Sequence, residues 1–259
     1  MKKMLWVILL TSIFAVEAAA GSFQVAPMRL SIDEGSKISN ITVFNKNDAP
    51  ANMQVRAMRW NQDNEAGADI MIDSKELIIF PKVFTVPAHG QRVIRVGHKG
   101  KGLTRELAYR LLIRELPVDE PGRMGMKFAV QMSMPVFIKP KGARKAALPM
   151  LSGIEVHEGK FSARVLNKGN VYFMLKSLTL TGSKAGQEVY TGKGNGWYIL
   201  AGASKLFKID MSQDECNSMD SLKLVAKSKQ GNTEASYPID ADICAEIAVP
   251  KATSGDDAS

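Results

Sequence analysis

Apolar residues alternate with polar ones in short runs along almost the whole chain, and this period of two constrains the fold more than any other feature. Such alternation sends successive side chains to opposite faces of a strand, one face apolar and one wet. From residue 23 the runs read FQVAPMRLSI, KISNITVFN, ANMQVRAMRW, ELIIFPKVFTV, QRVIRV, LAYRLLIREL and RMGMKFAVQMSMPVF. Between them stand KNDAP, PAHG, HKGKG and PVDEPG, rich in residues that turn a chain. Helical periodicity is almost absent.

About seven short strands in roughly 120 residues is the pattern of an immunoglobulin-like β-sandwich. After them KPKGARKAALP is basic, rich in Pro, Gly and Ala, and without apolar period, so it reads as a hinge. The strand pattern then restarts with FSARVLNKGN, VYFMLKSLTLTG, QEVYTG, GWYILAGASKLFKID, LKLVAKSKQGN and EASYPID. The expected organisation is all-β: residues 21–140 as a first immunoglobulin-like domain, 141–149 as the hinge, 150–250 as a second such domain, and 251–259 as a polar, disordered tail.

The first 20 residues stand outside this pattern. Lys2 and Lys3 precede an apolar stretch from Met4 to Val16, and Ala18, Ala19 and Ala20 follow it. The stretch is too short for a membrane span, which needs about 20 apolar residues, and reads as a secretory signal cleaved near Ala20. Cys216 and Cys244 are the only cysteines, and an even pair in an exported chain points to one disulfide. A metal site is not indicated, because His89, His98 and His157 are scattered and no C-x-x-C occurs.

Motifs for catalysis are missing. The segment from Gly153 to Lys160 has the wrong spacing for a phosphate loop and Phe161 where Ser or Thr is needed. GKGNGW, Gly192 to Trp197, has glycines at every second position and reads as a hairpin turn between strands. There is no G-x-S-x-G and no H-E-x-x-H, so neither an enzyme nor a cofactor is expected. The formal net charge of +8 is spread along the chain without an aromatic-rich signature, which argues for a solvated surface and against nucleic acid.

The run from Arg123 to Phe137 is about twice the usual strand length. Its even positions are Met124, Met126, Phe128, Val130, Met132 and Met134. Alternation alone does not say which parity faces the domain's own core.

At this point the chain resembles the periplasmic chaperones of the chaperone/usher pilus pathway. FPKVFTVPAHGQRVIRV is similar to that family's proline-containing strand, turn and following strand; AYRLLIRELP is similar to its aromatic-rich strand; MPVFIKP resembles the end of its donor strand. In the second half VLNKGNVYFMLKSLTL and GWYILAGASKLFKI resemble the paired strands more loosely. The resemblance implies two immunoglobulin-like sandwiches in an L or boomerang arrangement, in the periplasm, binding pilus subunits and passing them to an outer-membrane usher.

It also implies roles for residues. Such a subunit lacks its last strand, and the chaperone completes its sheet by donor-strand complementation, a form of β-augmentation. The donors would be Met126, Phe128 and Val130, with Met124, Met132 and Met134 extending the row, and flexible methionine suits grooves of several shapes. Phe23 and Val25 would pair beside that strand. The subunit's terminal carboxylate would be held by Arg29 and a second basic residue; Pro135 stands where the family has Lys, which points to Arg110 or Lys139 and to a divergent, archaic or alternative branch. Arg95 and Glu115 match an ion pair near the domain junction. An exposed donor edge also favours self-association of the free form. The alternative readings are a structural pilus or adhesin component, and an exported carbohydrate-binding or hydrolytic sandwich. The last wants clustered aromatics, whereas Trp60 and Trp197 stand far apart in sequence.

Overall fold

The computed structural model describes residues 23–33, 38–100, 103–116, 129–141, 144–157 and 160–247. The expected export signal, the donors Met124, Met126 and Phe128, and the tail 251–259 lie outside the described residues.

The first sandwich comprises β1 (Phe23–Ala26), β2 (Leu30–Asp33), β3 (Ile38–Asn45), β4 (Ala51–Gln62), β5 (Asp69–Asp73), β6 (Leu77–Phe80), β7 (Val83–Val86), β8 (Gln91–His98), β9 (Leu107–Leu116) and β10 (Gln131–Lys139). One sheet has the order β1-β3-β8-β6; the facing sheet has β2-β10-β9-β4-β5, with β7 also on β4. Period two accounts for the layers. Met53, Val55 and Ala57 of β4, Leu111 and Ile113 of β9, and Ile94 and Val96 of β8 all turn inward to one core.

The second sandwich comprises β11 (Pro149–His157), β12 (Lys160–Asn167), β13 (Phe173–Lys184), β14 (Gln187–Asn195), β15 (Tyr198–Ile199), β16 (Ser204–Lys208), α1 (Gln213–Asn217), β17 (Ser221–Ser228), β18 (Gly231–Pro238) and α2 (Ala241–Ala245). Its sheets are β11-β12-β16 and β14-β13-β17-β18, with β15 also on β13. Phe161, Val165, Leu178, Leu180 and Leu224 form its separate core.

The two sandwiches use one device at the same place. At the end of β3, buried Asn45 donates from Nδ2 to the carbonyls of Ala49, Val86 and Pro87 at 2.8, 3.2 and 3.1 Å. At the end of β12, buried Asn167 donates to Val171, Ile199 and Leu200 at 2.8, 3.2 and 3.1 Å. Each side-chain amide thereby ties the strand end to the turns beside it, sharing the Pro87 and Leu200 carbonyls with the Gly90 and Ala203 amides.

Two expectations change. GKGNGW is not the turn: Gly192 and Gly194 belong to β14, and the chain reverses at Ala185–Gly186, where both residues have positive φ. Short helices also appear where no period announced them. Ser212 and Glu215 form a capping box at the start of α1, and Asp240 caps α2. The disulfide Cys216–Cys244 ties the two helices together.

Candidate functional site: a basic cleft between the sandwiches

The long strand ends in the middle of its sheet, and that placement organises the site. Beyond Val136, β10 has neighbours on both sides: β9 runs antiparallel along it, and β2 runs parallel from Leu30↔Val136 to Asp33↔Lys139. From Gln131 to Pro135 only β9 pairs with it, so among the described residues its other edge is open there. Even residues face the core, with Met134 only 4% exposed and Met132 packed against the same cluster. Odd residues lie on the other face, where Gln131 and Ser133 are exposed and Phe137 meets the second sandwich. Phe137 stacks on Tyr172 at 3.8 Å between ring centroids and packs near Trp60 and Tyr198.

Carrying the β2 register back one residue sets Arg29 beside Pro135, and Arg110 of β9 is Pro135's partner on the other side. All three lie on the face toward the second sandwich, with the two arginine backbones separated by two strand spacings, about 10 Å. Arg29 is exposed, its guanidinium 5.9 Å from the centre of the Tyr172 ring. Arg110 lies 4.3 Å over Trp60 and 5.7 Å from Trp197. Burial lowers the Arg110 pKa, the charge of Asp69 opposes that shift, and its buried Nε has no hydrogen-bond partner. Stacking of this kind preorganises a guanidinium while leaving its edge for an acceptor.

On the β2 side the sandwiches enclose a cavity of about 330 Å³ lined by Arg29, Glu106, Lys139, Lys145, Tyr172 and Lys229, among others. Glu106, just before β9, is only 7% exposed. Its Oε1 accepts the Tyr172 N–H at 2.9 Å, its own N–H donates to the Asn170 carbonyl at 2.8 Å, and its buried Oε2 has no partner. Burial pushes this carboxyl up to about 7, against the pull of the Tyr172 amide and of Lys139, Lys145 and Arg29. Lys145 binds Asp33 at 2.6 Å and holds that carboxylate below its ordinary range.

The opposite edge of the junction is a clasp. Gln62 donates to the Tyr198 carbonyl at 2.8 Å and accepts the Leu200 N–H at 2.9 Å. Asn64 accepts the Ser204 N–H at 2.8 Å, Lys205 donates to the Gly67 carbonyl at 3.0 Å, and Trp197 Nε1 donates to Asp69 at 2.7 Å. Arg164 donates to the carbonyls of Asn64 and Glu65 and pairs with Glu155 at 2.8 Å. Gly67 has φ of +64°, and a Cβ there would lie 2.4 Å from the Leu206 nitrogen. Only glycine fits that approach.

Residues 22–144 match the family described as the pili and flagellar-assembly chaperone, PapD N-terminal domain. The first sandwich is thus similar to that chaperone domain. Solved structures extend the likeness in fold to both sandwiches. A chain of the CsuC–CsuE chaperone–tip adhesion subunit pre-assembly complex, from the archaic chaperone-usher Csu pili of Acinetobacter baumannii, aligns with TM-score 0.61 and 20% identity, covering 84% of this chain and 98% of its own. The YadV chaperone aligns with TM-score 0.55 and 16% identity over 84% and 99%. A chain of the Salmonella enterica SafA pilin–SafB chaperone complex aligns with TM-score 0.53 and 14% identity over 85% and 97%. No curated protein matches this chain in sequence.

Several sequence expectations are corrected by these positions. Met132 and Met134 are not an outward-facing row: Met134 is buried in the sandwich's own core, and Met132, partly buried, packs against it. Phe23 and Val25 do not lie beside β10; β1 pairs with β3 in the other sheet, through Phe23↔Asn45 and Val25↔Val43, and Val25 is buried in the core. Arg95 and Glu115 do not meet. Arg95 is exposed on β8, between Asn40 and Phe80, while Glu115 is on β9 of the facing sheet and donates its N–H to the Val130 carbonyl at 2.9 Å. The buried acid on the β2 side of the junction is Glu106. Trp60 and Trp197, distant in sequence, converge on Arg110, but Trp60 is 1% exposed and serves packing, not a sugar platform.

Proposed function

We propose that this protein is a periplasmic chaperone that completes the sheet of an incomplete pilus subunit along the open edge of β10 and delivers the subunit to an outer-membrane usher. The observation that carries the reading is the half-paired strand: β2 occupies the edge from Val136 onward, and among the described residues no strand pairs with the edge before it. A subunit strand running parallel to β10, as β2 does, would fill that edge and end against Arg29. Its backbone groups would gain the ladder partners they lack, each worth about 1–3 kcal/mol when otherwise buried unpaired.

In this reading Met126, Phe128 and Val130, with Met124 before them, fill the subunit's groove. Arg29, Arg110 and Lys139 hold its terminal carboxylate: Arg29 and Arg110 flank Pro135, and Lys139 lines the cavity with Arg29. Fixing the carboxylate sets the register of the pairing, since a slip of one residue would turn every side chain to the wrong face.

Co-expression with a pilin subunit of the pathway is expected to yield a soluble one-to-one complex, and Phe128→Asp is expected to abolish that complex while leaving the chaperone's unfolding curve unchanged. A Phe128→Asp protein that still keeps the pilin soluble refutes the assignment of this strand.

A further inference from the structure

The cleft holds a carboxyl of its own. Glu106 shares one cavity with Arg29 and Lys139, two of the side chains assigned above to the subunit's carboxylate, so an internal and an incoming anion draw on the same positive charge. We propose that Glu106 competes for the cleft's basic side chains when ionised and releases them when protonated, so that capture of a subunit's C-terminal carboxylate is coupled to uptake of a proton. The inference rests on the carboxylate-anchor reading and adds its regulation.

The geometry favours this over a fixed ion pair. Glu106 has one oxygen satisfied by the Tyr172 N–H and the other buried without a donor, which suits the neutral acid better than the anion. No salt bridge of 4 Å or less joins it to a cation among the described residues. The charged groups around it are Arg29 ahead of β2, Asp33 at the end of β2, Lys139 on β10, Lys145 after β10 and Lys229 between β17 and β18, with Tyr172 on the loop before β13, and Arg59 of β4 and the neighbouring Arg105, which line a second pocket that Glu106 also borders. Asp33 stays ionised on its bond to Lys145, and burial raises Tyr172 still further above neutrality. Glu106, pushed up to about 7, is the one whose charge changes near neutral pH. A carboxylate arriving at Arg29 adds a negative charge within about 10 Å and makes the ionised form costlier still, so the proton is taken up on binding.

The test uses the full chain and a labelled, N-acetylated twelve-residue peptide of alternating Val and Ser with a free C-terminal carboxylate, beside its amidated twin. The free-acid peptide is expected to bind roughly threefold to tenfold more weakly at pH 8 than at pH 6. Glu106→Gln is expected to remove that slope and to bind at pH 8 as the unaltered protein does at pH 6. Calorimetry of the unaltered protein in two pH 7 buffers of different ionisation enthalpy reads proton uptake directly, independent of how the variant folds. A slope that persists in Glu106→Gln, or binding without proton uptake while the free acid still outcompetes the amide, overturns the coupling and leaves the anchor standing. If both peptides bind alike, or neither binds, the anchor reading falls and the coupling with it.

Discussion

At the β5 edge of the junction, Gln62, Asn64, Gly67 and Asp69 meet the second sandwich in a set of matched hydrogen bonds. At the β2 edge, Arg29, Lys139 and Lys229 line an open cavity, and Glu106 keeps an oxygen without a donor. One sheet supplies both edges, and the Trp60, Phe137 and Tyr198 rings lie between them. The first edge is spent on orientation. At the second, Arg29, Lys139 and Lys229 have no ion pair among the described residues, which suits a site for a partner's anion.

The strongest way to break this comparison is through the rings both edges share. Trp60→Ala removes a 1%-exposed indole that packs against Phe137, Tyr198 and the Arg110 guanidinium, and is expected to cost about 3–5 kcal/mol in urea unfolding. A loss under about 1 kcal/mol would show that the sandwiches do not stabilise each other through this cluster.

Glu106→Gln sharpens the comparison from the other side. Burial raises the carboxyl from an ordinary value of 4.5 to about 7, so the folded chain binds this proton more tightly than the unfolded one. The stability it contributes is full below about 4.5 and is lost as pH rises through about 7. Glutamine, which cannot ionise, is therefore expected to raise stability at pH 8 by up to about 3 kcal/mol and to change little at pH 4, read as melting temperature against pH. A uniform shift at both pH values would mean that the side chain acts through packing, not charge.

How far the sequence revealed these features depends on whether they are local. Period two located the strands, because burial on one face of a sheet writes itself into neighbouring residues. Parity escaped it: the alternation from Met124 to Met134 is the same whether the even side faces a partner or the core, and the structure places Met134 in the core with Met132 packed against it. Arg29 stands out by resemblance alone, and Arg110 as a substitute on the neighbouring strand for the Lys that Pro135 replaces; the structure puts Arg110 opposite Pro135. Glu106 left no signal, since its burial is made by Asn170 and Tyr172, more than sixty residues away. Other signals were present and passed over: Ser212-x-x-Glu215 is a helix start, and FNKN and LNKG mark the two turn-closing asparagines.

The smallest expected change in stability decides most directly between a structural and a reserved basic edge. Arg29 is exposed, and its contact over Tyr172 at 5.9 Å is of a kind worth about 0.5–1 kcal/mol at the surface. Arg29→Ala is therefore expected to leave urea unfolding within about 1 kcal/mol of the unaltered protein. It also removes one of the charges that pull the Glu106 carboxyl down, so that group is expected to titrate higher than before. Yet co-purification of the pilin should be lost, because the carboxylate would have no fork to receive it, and Arg29→Lys, a point charge without that fork, should restore capture only in part. If Arg29→Ala instead destabilises the chain by 2 kcal/mol or more, the β2 edge is built like the β5 edge, for orientation, and the carboxylate must be sought at Arg110 alone.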